Sequence, residues 1–125
     1  MAVATVDGLA KAAVHIGRTI HRGDAELALD DFDELVGRLH RFMNYVVLAE
    51  VLLDGRDPDV GQAMGQFKSR IFASLDGVET ALEARDMGRV GVDLARGLAT
   101  ALLEYRGISG RIEGALAAAD QVMAA

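Results

Sequence analysis

Hydrophobic positions recur at helical spacing along nearly the whole chain, most regularly in its second quarter. Ala28, Phe32, Leu35, Leu39, Phe42, Val46, Ala49 and Leu53 follow one another at intervals of 4, 3, 4, 3, 4, 3 and 4 residues. That is the seam of an amphipathic helix. Leu29, Val36, Met43 and Val47 lie beside the seam and widen it from a coiled-coil strip into the broad apolar face of a bundle helix. Asp24 suits the N-cap, and Glu26, Asp30, Asp31, Asp33 and Glu34 crowd the first turns, where the helix dipole favours negative charge. A helix over 24–54 would be about 45 Å long at 1.5 Å per residue. Gly55 then suits the C′ position, and Pro58 fits the first turn of the next helix behind an Asp57 cap.

Three further segments carry the same period. Residues 5–22 place Val6, Leu9, Ala13, Ile16 and Ile20 on one face, and Gly23 ends them. Residues 58–85 carry Val60, Met64, Phe67, Ile71, Leu75, Val78 and Leu82. Behind an Asp86 cap, residues 87–123 carry Val90, Leu94, Leu98, Ala101, Tyr105, Ile108 and Ile112. Gly107, Gly110 and Gly114 interrupt this last pattern, each at a cost of up to about 1 kcal/mol relative to Ala in a helix interior. Either they break the helix, or they form a flat strip against which another backbone packs. The apolar period survives across them, which favours a continuous or merely kinked helix.

Four amphipathic helices with short connections predict an all-α, single-domain chain, 1–125, folded as an antiparallel up-down four-helix bundle. Helices of unequal length leave apolar surface uncovered, so a homodimer is expected. The two halves align at an offset of 62 residues, which pairs Ile20 with Leu82, Asp24 with Asp86, Phe32 with Leu94 and Met43 with Tyr105. The alignment is either an internal repeat or what any two capped amphipathic hairpins would give.

Composition narrows the function. With 51% hydrophobic and 26% charged residues and no low-complexity tract, the chain is not intrinsically disordered. Nineteen acidic against thirteen basic residues give a net charge of −6, the wrong sign for nucleic acid or an anionic membrane surface. No uncharged run approaches the length of a membrane span, and Asp7 and Lys11 interrupt the N-terminal apolar stretch, so neither membrane insertion nor a secretion signal is expected. A cytoplasmic location follows as the expectation. The chain has no cysteine, which removes disulfides, thiolate metal sites and cysteine nucleophiles.

Chemistry is sparse. A helical di-metal site needs Glu-x-x-His pairs, whereas Ala12, Arg18 and Gly37 precede His15, His21 and His40 by three positions. No metal or cofactor is expected. No serine lies in a Gly-x-Ser-x-Gly elbow, and Gly61 to Gly65 lacks the Lys and Ser/Thr of a phosphate loop, so no catalytic residue is assigned. Glu50, flanked by Leu48, Ala49, Val51 and Leu52, is expected to find a partner such as an Arg on another helix or to have its pKa raised by burial. Phe32, Phe42, Phe67 and Phe72 could line a closed pocket for an apolar small ligand.

Two resemblances add to this reading. The segment Ala13-Val14-His15-Ile16-Gly17-Arg18-Thr19 resembles the phosphoacceptor helix of histidine phosphotransfer domains, with Arg18 three positions after His15 but Thr19 where that family prefers Gly. The resemblance implies a phosphorelay role for His15. Ile20-His21-Arg22-Gly23-Asp24 leading into Phe32, Leu35, Val36 and Leu39, together with Leu75 to Asp86 leading into Val92-Asp93-Leu94, is similar to helix ends in small bundles related to flagellin-type export chaperones. That family holds an amphipathic segment of an exported subunit in apolar grooves, which would place a partner beside Leu39, Met43, Leu98 and Leu102. The tyrosine-containing N-terminal segment and aromatic-ended C-terminus of that family are missing here. Independently, wide apolar faces with Met43, Met64, Met87 and Met123 as adaptable contacts suit self-association or a groove for a partner helix. The sequence thus points to a non-enzymatic protein-interaction module, which the second resemblance would make a chaperone or adaptor of flagellar or secretion type. The alternatives are phosphotransfer through His15 and small-ligand binding.

Overall fold

Three aspartates start helices where the sequence places them. In the computed structural model the Oδ1 atoms of Asp24, Asp57 and Asp86 accept hydrogen bonds from the backbone N–H of Leu27 (3.3 Å), Val60 (3.2 Å) and Arg89 (3.1 Å), so each satisfies an otherwise unpaired donor of a first turn. The structure describes residues 2–53 and 56–124, and the side chains of 3–53 and 56–118. Gly55, the expected C′ residue of the second helix, and the Met123 side chain lie outside the described residues.

Every described element is a helix. Helix α1 spans Ala2–His21, α2 Ala25–Leu53 and α3 Pro58–Glu83. The fourth run is made of α4 (Met87–Val92), a π-helical turn (Asp93–Leu98), α5 (Ala99–Leu103) and α6 (Arg106–Ala124). Among the described residues there is no strand, and no helix is long and apolar enough to cross a membrane.

The π-helical turn has a cause in the sequence. Val90, Leu94, Leu98 and Leu102 are all buried and four residues apart. In an α-helix each four-residue step overshoots a full turn by about 40°, so three steps would swing Leu102 about 120° off the core. Widening one turn, with the Ala99 N–H donating to the Leu94 carbonyl five residues back, takes up that rotation. At Glu104 and Tyr105 the run tightens instead: Tyr105, Gly107 and Ile108 donate to Leu102, Glu104 and Tyr105, each three residues back, at 3.0–3.1 Å. Gly107, Gly110 and Gly114 all lie inside α6, and a Cβ on any of them would meet nothing within 4 Å. They form no flat packing strip among the described residues, and the expected continuous helix over 87–123 is instead interrupted just before them, at Glu104 and Tyr105.

Two connections share one hydrogen-bond pattern. After α1, Gly23 N–H donates to Ile20 and Asp24 N–H to Thr19; after α3, Arg85 N–H donates to Leu82 and Asp86 N–H to Ala81. Each pair differs by 62 residues, as do the capping bonds of Asp24 and Asp86. Both turns pass through positive φ, 91° at Gly23 and 57° at Arg85. The hairpin correspondence read from the sequence therefore extends to individual backbone bonds in the turns.

Ion pairs and close contacts tie the runs together. Asp7 meets Arg106 and Gly17 meets Gly91 across α1 and the fourth run. Arg38 of α2 lies against Gly8, and Asp31 of α2 is 4.0 Å from His15. Between α2 and α3, Glu50 reaches Lys68 at 2.8 Å and Phe42 packs edge-on to Phe67 with ring centroids 6.2 Å apart. Arg70 of α3 pairs with Glu104. The core lies between these contacts and takes Leu9 and Ile16 from α1, Leu35 and Leu39 from α2, Ile71 from α3 and Leu98 from the fourth run.

Candidate functional site

The apolar faces of the helices divide into a covered part and an uncovered part. On α2 the seam residues Ala28, Leu35, Leu39, Phe42, Val46, Ala49 and Leu53 are buried, with Phe32 at the core edge. The flank divides: Met43 is buried, whereas Leu29, Val36 and Val47 are exposed. Near the C-terminal end of α2, Val47 is joined by Leu48, Val51 and Leu52, with Leu48 59% and Val51 66% exposed. Positions 47, 48, 51 and 52 share one side of two helical turns. Scattered surface aliphatics are ordinary, whereas these four are contiguous.

The residues expected to line a groove are elsewhere. Leu39, Met43, Leu98 and Leu102 are buried in the core, so they present no open groove to a partner in this structure. Periodicity places a side chain on the apolar face of its helix, and whether another helix already covers that face is a tertiary fact. Of the four phenylalanines, Phe42 and Phe67 are buried and meet each other, Phe32 lies at the core edge, and Phe72 is 47% exposed. At most three of them face the interior.

The interior aromatics gather around Tyr105. Its ring lies 5.3 Å from Phe42 and 5.6 Å from Phe67, centroid to centroid. The Tyr105 hydroxyl is fully buried and makes no well-formed hydrogen bond among the described residues. Burial, and then the neighbouring Tyr45, raise its pKa well above the ordinary value, so the phenol stays neutral. Composition, with only two tyrosines, gave no signal for this.

Protein-family models, curated proteins and solved structures yield no match to the chain. The functional reading therefore rests on the geometry.

Two open grooves run along the outer edge of α1. The first, about 420 Å³, lies between α1 and α5–α6 and has Ala10, Val14, Ala99 and Leu103 as its apolar floor. Lys11, His15 and Arg18 stand on its α1 wall. At its far end Arg106 donates to Asp7 through Nε (2.9 Å) and Nη2 (2.7 Å). This fork holds the Asp7 carboxyl below the ordinary carboxylate range. The second groove, about 580 Å³, continues from Arg18 between the end of α1 and α4, past Ile20, His21, Val92 and Arg96. Where the two meet, Gly17 and Gly91 bring the backbones of α1 and α4 together.

His15 sits on this edge. Its side chain is 64% exposed, Lys11 and Arg18 lie one turn to either side, and the Asp31 carboxylate is 4.0 Å from its Nε2. Glu50 has its interhelical partner, a lysine, and the Lys68–Glu50 pair is partly buried. Among the described residues no group of three His, Asp or Glu side chains is placed to hold a metal ion.

Proposed function

We propose that the chain is an antiparallel up-down four-helix bundle acting as a non-enzymatic protein-interaction module, which self-associates as a homodimer and binds an amphipathic helix of a partner. Supporting the bundle, the contact pairs run in opposite directions along neighbouring helices: residue 7 meets 106 while 17 meets 91, and 8 meets 38 while 15 meets 31. The observation that carries the interaction role is the exposed stripe Val47, Leu48, Val51 and Leu52, an apolar surface that this chain's own helices leave uncovered. A helix face of that kind suits another helix, either from a second copy or from a partner. The likeness to flagellin-type export chaperones agrees with a chaperone or adaptor that shields such a segment.

Light scattering at micromolar concentration tests this reading. The wild-type chain should have a dimer mass, and the double variant Leu48→Glu, Val51→Glu a monomer mass with unchanged helical circular dichroism. A wild-type monomer that also binds no amphipathic helix would sink the reading.

A second reading, phosphotransfer through His15, draws on the exposure of that side chain and its two flanking cations, which would neutralise a phosphoryl group on the imidazole. Against it, the Asp31 carboxylate would repel the incoming anion at Nε2. Incubation with acetyl phosphate followed by intact-mass analysis separates the two. The interaction reading expects no adduct, and the phosphotransfer reading expects a labile one that is absent from His15→Gln.

A further inference from the structure

The edge between α1 and the fourth helical run has a charge that the rest of the chain does not. The chain carries −6 overall, yet the two grooves that meet at Arg18 contain a single carboxylate, Asp7, which Arg106 already neutralises. Lys11, Arg18 and Arg96 stand on the same edge with no ion pair among the described residues. Two cations without a counterion among the described residues, Arg18 and Arg96, and a third, Lys11, that only shares the field of the Arg106-paired Asp7, therefore flank an apolar floor on an acidic protein. Leu103 on the floor of the first groove and Val92 beside the second are left exposed.

The shape of this edge limits what can lie on it. From Asp7 to His21 it follows α1 for about 21 Å at 1.5 Å per residue, the length of a helix of about 15 residues. Small residues, Ala10, Gly17, Gly91, Ala95 and Ala99, keep its centre low. Such a furrow is one helix wide, with aliphatic contacts along its floor and positive charge along its rim. Nucleic acid would meet no Phe, Tyr or Trp ring for base stacking among the residues lining the grooves, and the net negative charge would oppose approach to a polyanion or an anionic membrane. A short acidic helix is not so opposed, because its charge is modest and the local rim attracts it.

We propose that this α1 edge is the docking site for an acidic amphipathic helix of a partner protein, with aliphatic side chains at i, i+3, i+4 and i+7 on the floor and carboxylates against Lys11, Arg18 and Arg96. The inference rests on the helix-binding role proposed above and adds the site and the charge of the partner. Arg106, held by Asp7, closes one end of the furrow and fixes where the helix stops.

Fluorescence anisotropy with two labelled peptides of about 15 residues tests it. Both have Leu at the stated spacing; one has Glu and the other Lys at the remaining positions. The Glu peptide should bind the wild-type chain at least about tenfold more tightly than the Lys peptide, and more weakly as salt is raised. The triple variant Lys11→Glu, Arg18→Glu, Arg96→Glu, in which only exposed side chains change, should lose about tenfold in affinity for the Glu peptide while keeping its circular dichroism and its dimer mass. The milder triple Gln variant should fall between the two. Equal binding of both peptides, or unchanged binding by the triple variants, would overturn the site while leaving the helix-binding role standing. Binding of neither peptide would overturn the site, and a monomeric wild type would then remove the broader role as well. Adhesion to phosphatidylglycerol vesicles without binding of the Glu peptide would overturn it in favour of a lipid surface.

Discussion

Gly17 lies directly against the backbone of Gly91: a Cβ built on Gly17 would fall 2.8 Å from the Gly91 carbonyl oxygen and 2.9 Å from the Ala95 Cβ. Neither neighbour is the end of a flexible side chain, so α1 and α4 would have to move apart. Gly17→Ala should therefore destabilise the fold by about 1–3 kcal/mol, the usual range for an overpacked contact. The reverse approach is looser, 3.4 Å from a Cβ on Gly91 to the Gly17 carbonyl, so Gly91→Ala should cost less. Urea unfolding of both variants checks the order, and an unperturbed Gly17→Ala would mean that the helices do not cross this closely.

The glycines of α6 behave in the opposite way. Gly110 is exposed within a helix, and an added methyl group there meets nothing among the described residues. Gly110→Ala should raise stability by about 0.5–1 kcal/mol through helix propensity alone. A loss would indicate that a second chain packs on this face.

The matched turns after α1 and α3 make a paired prediction. Arg85 adopts a φ of 57°, where a Cβ is disfavoured, in the position that Gly23 fills 62 residues earlier. Arg85→Gly should stabilise, and Gly23→Ala should destabilise, each by about 1 kcal/mol. Thermal unfolding of the two variants should shift in opposite directions. A shift in the same direction would show that the turns are not equivalent.

The Asp24, Asp57 and Asp86 caps are local, since a short polar side chain three residues ahead of a free N–H decides each of them, and they are readable. The ion pair of Glu50 is half-readable: a carboxylate in an aliphatic stretch calls for a cation, but only the packing of α2 on α3 selects Lys68. The crossing at Gly17 and Gly91 joins residues 74 positions apart, and nothing near either glycine announces it. Leu39, Met43, Leu98 and Leu102 belong to apolar faces as expected, but these faces are covered. The open apolar surface is instead the flank of α2 at Leu48 and Val51, which the seam spacing alone does not separate from the core.

Tyr105 contains a removable cost. Its hydroxyl is buried among Phe42, Phe67 and Tyr45 with no well-formed hydrogen bond among the described residues. Leaving such a group unsatisfied costs about 1–3 kcal/mol. Tyr105→Phe keeps the ring packing and removes the hydroxyl, so it should be neutral or stabilising by up to about 1 kcal/mol. Phe42→Ala, which empties the same cluster, should cost about 3–5 kcal/mol. A destabilised Tyr105→Phe would reveal a partner for the hydroxyl, and hence a functional reason for its burial.

The Asp7–Arg106 fork gives a pH-dependent signature. Arg106 lowers the folded-state pKa of Asp7 beneath its ordinary value near 3.8, so the folded state binds its proton less readily than the unfolded chain. The resulting stabilisation is complete above the ordinary carboxylate range and is lost as pH falls through the lowered folded-state value. Asp7→Asn should accordingly melt slightly below wild type at neutral pH, with the gap closing on acidification below both values. Because the pair is solvent-facing, added salt should shrink the gap at neutral pH too. A deficit that stays constant from neutral to strongly acidic pH would mean that Asp7 acts through packing of the α1 edge, and that its charge pairing with Arg106 contributes nothing.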